Sequence, residues 1–224
     1  MPQKRSAPLP LVILISGSGS NLRAIIDACG RQQINANIAA VISNRPDAYG
    51  LKHAETASIA THVVNHRDYP DRRSFDAELE NIIDGYKPGL VVLAGFMRIL
   101  TPEFVNHYLG RMVNIHPSLL PSFQGLNTHQ RALDAGADKH GVSVHFVTPE
   151  LDGGPVIIRA EVPVETGDNA KKLAAKVLKE EHRIYPEAIG WYADGRLQLE
   201  NNQALLDGQP IKQFEKTIEC DTSC

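Results

Sequence analysis

Cysteine is scarce. The 224 residues hold three, Cys29, Cys220 and Cys224. They make no disulfide framework, and no Cys or His pair nearby has the spacing of a zinc site. That usage fits a cytoplasmic protein. Long apolar runs are also lacking. The stretch Leu9 to Ile15 contains Pro10 and leads straight into a Gly/Ser loop. It is too short to span a bilayer, and no small-residue cleavage site follows it. An excess of positive charge is missing too. The net charge is −3, whereas a broad nucleic-acid-binding surface needs a basic patch. No membrane and no nucleic-acid partner are therefore expected. Repeats, low-complexity segments and linkers are absent. One domain over residues 11–200 is the simplest partition, between a flexible start (1–10) and a polar tail (201–224).

What is present is a rhythm of strands and helices. Leu11 to Ile15, Ile38 to Ser43, Thr61 to Asn65 and Leu90 to Ala94 are short, largely apolar, β-branched runs. Helical patterns separate them. Leu22, Ile25, Ile26 and Cys29 share one face, residues 47–58 read as a second helix, and Phe75, Leu79, Ile82 and Ile83 stripe a third over 71–86. Thr101-Pro102 is an N-cap followed by proline at the first helical position. Such alternation predicts a Rossmann-like, doubly wound, mostly parallel α/β sheet with helices on both faces. Further on, a short helix is expected over 130–135 and strands over 142–147 and 156–164. His145 reads as a packed residue of the first of these strands. A long helix spans 169–192, which Pro186 must kink or interrupt. Arg196 to Leu199 reads as a last edge strand.

Two stretches carry chemistry. Ser16-Gly-Ser-Gly-Ser-Asn21 joins a strand to a helix, where backbone N–H groups and the helix dipole favour an anion. The third glycine of a dinucleotide fingerprint is missing: Leu22 stands there. Strand two ends in Ser43-Asn44-Arg45, with no acidic residue for a ribose. One phosphate is expected rather than NAD. The second stretch is Met112-Val-Asn-Ile-His-Pro117. Residues two apart on a strand share a face. Asn114 and His116 therefore stand side by side, and Pro117 ends the strand. In open α/β sheets ligands bind beyond the carboxyl ends of the strands.

Four motifs in order carry a resemblance: Ile15 to Leu22, Leu93-Ala-Gly-Phe-Met-Arg-Ile-Leu100, Asn114-Ile-His-Pro-Ser-Leu-Leu-Pro121 and Leu151-Asp-Gly-Gly-Pro155. Over residues 10–208 the chain resembles the folate-dependent glycinamide ribonucleotide formyltransferases of purine synthesis. The resemblance implies a formyltransferase using 10-formyltetrahydrofolate and glycinamide ribonucleotide, with no metal, as a monomer or homodimer. It implies that Asn114 and His116 stabilise an oxyanion and that Asp152 pairs with the imidazole. Gly19, Ser20 and Asn21 match the phosphate–ribose loop. Glu181, with Leu178, Lys179 and Glu180 before it, matches the substrate side. Arg72, Met97, Arg98, Ile99 and Leu100, with Thr148, Pro149, Glu150 and Leu151, match the folate side.

Residue chemistry alone gives plainer readings. Glu181 is one charge on a helix face with Lys179, Glu180 and Arg183, Asp152 is a turn residue, and Arg72 starts a helix. Gln124 and Asn127 stand where many members carry proline and histidine, and Leu178 where some carry a polar contact. Within folate chemistry, a methionyl-tRNA formyltransferase would resemble a longer chain with a basic C-terminal domain, and this tail is not basic. A formyltetrahydrofolate hydrolase would carry an N-terminal regulatory module, where about ten residues precede strand one here. A non-catalytic nucleotide-binding module would keep the Ser16–Asn21 loop but need no Asn114, His116 and Asp152 together.

Overall fold

The apolar strand β1 (Leu9–Ile15) lies in the middle of the sheet for a reason visible in its residues. Leu11, Ile13 and Ile15 join one hydrophobic cluster, Val12 and Leu14 another. A strand apolar at successive positions buries both faces and needs a layer on each side. Each such side chain contributes about 1.5–3 kcal/mol on burial. The structure, a computed structural model, describes residues 7–211, 217 and 218. Leu9 and Pro10, expected in the start of the chain before the first strand, belong to β1. Cys220 and Cys224 lie outside the described residues.

The chain continues through α1 (Ser20–Gly30), β2 (Ala36–Ser43), α2 (Gly50–Thr56), β3 (Ala60–Val63), α3 (Arg72–Gly85), β4 (Leu90–Leu93) and α4 (Pro102–His107). Then come β5 (Met112–His116), α5 (Thr128–Asp134), β6 (Lys139–Phe146), β7 (Val156–Pro163) and α6 (Ala170–Ala193). β3, β2, β1, β4 and β5 are parallel neighbours in that order. β6 adds antiparallel to β5, and β7 antiparallel to β6. α1, α2, α5 and α6 cover one face, α3 and α4 the other. The doubly wound, mostly parallel architecture stands, with an antiparallel end.

Three local expectations change. The second helix is shorter than 47–58, beginning only at Gly50. α6 runs on through Pro186 instead of being interrupted. The missing N–H costs the helix a bond, but Tyr185 beside it is buried and donates to the carbonyls of Leu93, at 2.8 Å, and Val113, at 3.2 Å. Ala188 and Ile189 pack on the far side of the proline. Third, the tail begins with structure. β8 (Leu197–Glu200), β9 (Gln203–Leu206) and β10 (Gln209–Pro210) form a small antiparallel sheet. Its turns are Asn201-Asn202 and Asp207-Gly208, all at positive φ, the type I′ pattern of tight hairpins. Thr217–Ile218, β11, lies parallel to β7. Among the described residues no helix is long and apolar enough to cross a membrane.

Candidate active site

β5 is the strand where parallel pairing gives way to antiparallel, and the candidate residues gather at its carboxyl end. Asn114 is paired with Leu93 on one side and His145 on the other. Directly opposed residues of an antiparallel pair point to the same face. Nδ2 of Asn114 therefore lies 3.1 Å from Nε2 of His145. Asp152 arrives on the turn between β6 and β7, held at φ +49°. Gly154 behind it is obligatory, since a Cβ there would lie 1.8 Å from the Phe146 carbonyl oxygen. The turn brings Asp152 Oδ2 to 3.5 Å from His116 Nδ1 and Oδ1 to 3.8 Å from His145 Nε2. The three side chains His116, His145 and Asp152 are all buried.

His145 is the packed residue of β6 expected of it, and it also bonds to Asn114. Its Nδ1 is 2.8 Å from the carbonyl oxygen of Phe146 and so carries the proton. Nε2 is then an acceptor for the Asn114 amide. Burial pushes its pKa down, which keeps the ring neutral. No sequence signal gives this role, because it depends on the β5–β6 register.

The loop after β5 folds back over the imidazole. His116 Nε2 is 3.0 Å from the Phe123 carbonyl oxygen. Gly125 N–H donates to Asp152 Oδ2 at 2.9 Å, and the Gln124 amide donates to the Asp152 carbonyl at 3.1 Å. Gln124 is therefore a tie between loop and turn. Asn127 sits at φ +57° as the N-cap of α5, without a side-chain cap bond. Arg131 closes the loop by donating to the Gln124 and Leu126 carbonyls.

The glycine–serine loop lies at the end of β1. Gly19, at φ +74°, precedes α1, and a Cβ on it would come within 2.5 Å of Gly50 Cα. Ser20 opens α1, leaving the first-turn N–H groups available to an anion. Asn21 is buried, and its Nδ2 donates to Glu181 Oε2 at 2.6 Å. Asn21 Oδ1 is buried without a partner, an acceptor open to a hydroxyl or amine. Burial raises the Glu181 pKa, against the Asn21 bond and the charge of His116. Glu181 is therefore no solvated face charge. Leu178 is half-buried and Lys179 exposed, while Glu180 binds the Arg183 guanidinium. Glu181 is joined to the loop through Asn21. Ser16 has a different task. It donates to Asn44 Oδ1 at 2.6 Å and accepts from Met97 N–H at 2.7 Å, tying the ends of β1, β2 and β4.

Met97, Ile99 and Leu151 are exposed large apolar side chains, at 65%, 56% and 54%. Leu100 is half-buried, Arg98 lies over the Phe75 ring, and Arg72 is exposed at the start of α3. Thr148, Pro149 and Glu150 lead into the Asp152 turn, which Gly153 N–H closes on the Glu150 carbonyl at 3.2 Å. Among the described residues, Glu80, Asp84 and His107 place possible metal ligands within 4.8 Å of one another. The Asp84 carboxylate there already accepts from Tyr108 and contacts His107, so a local bond network accounts for the trio.

Residues 9–189 match the sequence profile described as formyl transferase. The phosphoribosylglycinamide formyltransferase of Escherichia coli is 56% identical over 90% of this chain and 95% of its own length. That of Haemophilus influenzae is 44% identical over 90% and 95%. The crystallised phosphoribosylglycinamide formyltransferase of Coxiella burnetii, in complex with CHES, superposes with a TM-score of 0.90 at 53% identity, covering 94% of this chain and 99% of that one. With such agreement in sequence, in superposed fold and along nearly the full length, the chain belongs to the formyl transferase family.

Proposed function

We propose that this chain transfers the formyl group of 10-formyltetrahydrofolate to the primary amine of glycinamide ribonucleotide. The products are formylglycinamide ribonucleotide and tetrahydrofolate, a step of de novo purine synthesis. The observation that carries the reading is the convergence of Asn114, His116 and Asp152 at one strand end, flanked by the Gly19–Asn21 loop and its bond to Glu181.

The amine attacks the formyl carbon, and the carbonyl oxygen becomes an oxyanion in a tetrahedral intermediate. His116 and Asn114 are the N–H donors for that oxygen. An imidazolium at His116 faces Asp152 through Nδ1 and leaves Nε2 for substrate. The oxyanion then takes the place of the Phe123 carbonyl at Nε2, which requires the loop over the site to shift. Asp152 helps relay the proton that leaves the attacking nitrogen to N10 of the folate as the old C–N bond breaks. No step calls for redox chemistry or a Lewis acid.

Gly19, Ser20 and Asn21 hold the phosphate and ribose, and Glu181 the amine end, with Leu178, Lys179 and Glu180 on the neighbouring turn of α6. Met97 to Leu100 and Thr148 to Leu151 border the pteridine, and Arg72 meets the glutamate tail. The scarcity of cysteine fits a cytoplasmic enzyme, working as a monomer or homodimer. A coupled assay for tetrahydrofolate tests the reaction. Release that depends on added glycinamide ribonucleotide supports it. Release without the ribonucleotide marks a hydrolase, and no release marks a binding module.

A further inference from the structure

Met97 to Leu100 connects β4 to α4 without belonging to either. Among the described residues, the backbone groups of residues 98–100 pair with no other backbone group. Such a segment has no ladder to fix its shape, so side-chain bonds at its ends must do so. One end is pinned by Ser16, which accepts from Met97 N–H. The other is pinned by Asp76, whose Oδ2 accepts from Thr101 N–H at 2.6 Å. Asp76 is 3% exposed. It lies one helical turn after Arg72, on the same face of α3.

Asp76 is more than a cap for a loose end. Its Oδ1 is buried with no partner, and so is Nε of Arg98, within the same segment. The Arg98 guanidinium lies over Phe75, the residue before Asp76, at 5.9 Å from the ring centroid. Burial raises the Asp76 pKa, against the backbone and side-chain bonds of Thr101 and then the positive charges of Arg72 and Arg98. A carboxylate held this deep with one open oxygen is costly where only packing is needed.

We infer that Asp76 is a positioning residue for the formyl donor: through Thr101 and Arg98 it sets the Met97–Leu100 backbone in place relative to Arg72. The inference rests on the reading above, in which that segment and Arg72 face the folate. One buried carboxylate then links the proposed pteridine contact to the proposed tail contact while touching neither ligand.

Steady-state kinetics of Asp76→Ala and Asp76→Asn test it, each substrate varied with the other saturating. In Asp76→Ala the KM for 10-formyltetrahydrofolate should rise about tenfold, the loss of one bond to a charged acceptor. The KM for the ribonucleotide should stay within about twofold and kcat within about threefold. Asp76→Asn keeps an oxygen for Thr101 N–H, so its donor KM should stay within about threefold of the unmodified enzyme. An unchanged donor KM in Asp76→Ala, equal rises in both KM values, or an Asn variant as impaired as the Ala variant would each overturn the inference. Amide hydrogen exchange on the unmodified enzyme needs no variant to fold: Thr101 should exchange more slowly than Ile99, and equal rates would overturn the proposal. An unmodified enzyme that releases no tetrahydrofolate would remove the reading itself, whatever the variants do.

Discussion

Nε2 of His145 and Nδ2 of Asn114 face each other at 3.1 Å across the β5–β6 pair, and the direction of that bond is fixed from the far side of the ring. Nδ1 keeps its proton and donates it in a hydrogen bond to the Phe146 carbonyl, so Nε2 accepts from the amide. His145 thereby sets which way the Asn114 carboxamide points, and one N–H of the amide remains for substrate. A donor misdirected is nearly a donor lost. Removing one oxyanion donor typically slows turnover by about 10²–10³-fold. His145→Ala should fall short of Asn114→Ala, and the double variant should be scarcely slower than Asn114→Ala alone. Single-turnover rates of the three proteins decide it. A double variant slower by the product of the two single losses would show that His145 works independently of Asn114.

The His116–Asp152 pair predicts a second non-additive result. Asp152 Oδ2 is 3.5 Å from His116 Nδ1, and the same oxygen accepts from Gly125 N–H at 2.9 Å. Asp152→Asn should therefore disturb both the imidazole and the loop over it. The loss in turnover should be at or beyond about 10²-fold, with substrate KM values changed little. Adding Asp152→Asn to His116→Ala should cost scarcely more. Multiplying losses would instead make Asp152 a separate proton acceptor, readable in the same rate measurements.

Gly19 predicts a stability effect with a defined rank. A Cβ at Gly19 meets Gly50 Cα at 2.5 Å, a backbone atom that cannot turn aside, and its φ of +74° penalises any side chain. A Cβ at Gly50 meets the Ile15 Cδ1 methyl at 2.6 Å, the far end of a flexible side chain. Left-handed backbone costs a non-glycine about 1–2 kcal/mol, and overpacking about 1–3 kcal/mol. Gly19→Ala should lose about 2–5 kcal/mol, and Gly50→Ala clearly less. Urea unfolding midpoints of the two variants give the order, and the reverse order would refute the close approach as the reason for glycine at 19.

The residues that were readable from sequence, and those that were not, divide along physical lines. β1, β4 and β5 were legible because burial on both faces requires an apolar run. Asn114 and His116 were legible because period two is a property of any strand. His145 was not, since its place beside Asn114 depends on a register set by pairing partners 31 residues apart. The hairpin over residues 201–210 is illegible in the sequence for another reason. Asp207-Gly208 is a strong hairpin dipeptide, but the strands it joins are short and partly polar, so no alternation flags them. Glu181 looked like one charge among several on α6. Its difference from Glu180 is a rotation of about 100° about the helix axis, which turns one carboxylate to Asn21 and the other to Arg183.

Glu181 supplies the last prediction, in which stability and binding move in opposite directions. Burial raises its folded pKa above the value of a free carboxyl. For an acid shifted upward, the folded state prefers the protonated form. The stabilising preference is complete below the unfolded pKa, about 4.3, and is lost as pH rises through the folded value. At neutral pH the ionised carboxylate therefore weighs against folding. Glu181→Gln removes that charge and keeps an oxygen for the Asn21 amide. Its Tm should exceed that of the unmodified protein at pH 7, with the gap closing as the pH is lowered toward 4.3. The KM for glycinamide ribonucleotide should rise at the same time, because a neutral amide attracts the substrate amine less, while the KM for 10-formyltetrahydrofolate stays unchanged. Thermal melts across that pH range, with the two KM values at pH 7, test both halves. A Tm gap that stays constant with pH would mean that the Glu181 charge is not what weighs on the fold. A rise in the folate KM instead would move Glu181 to the other side of the site.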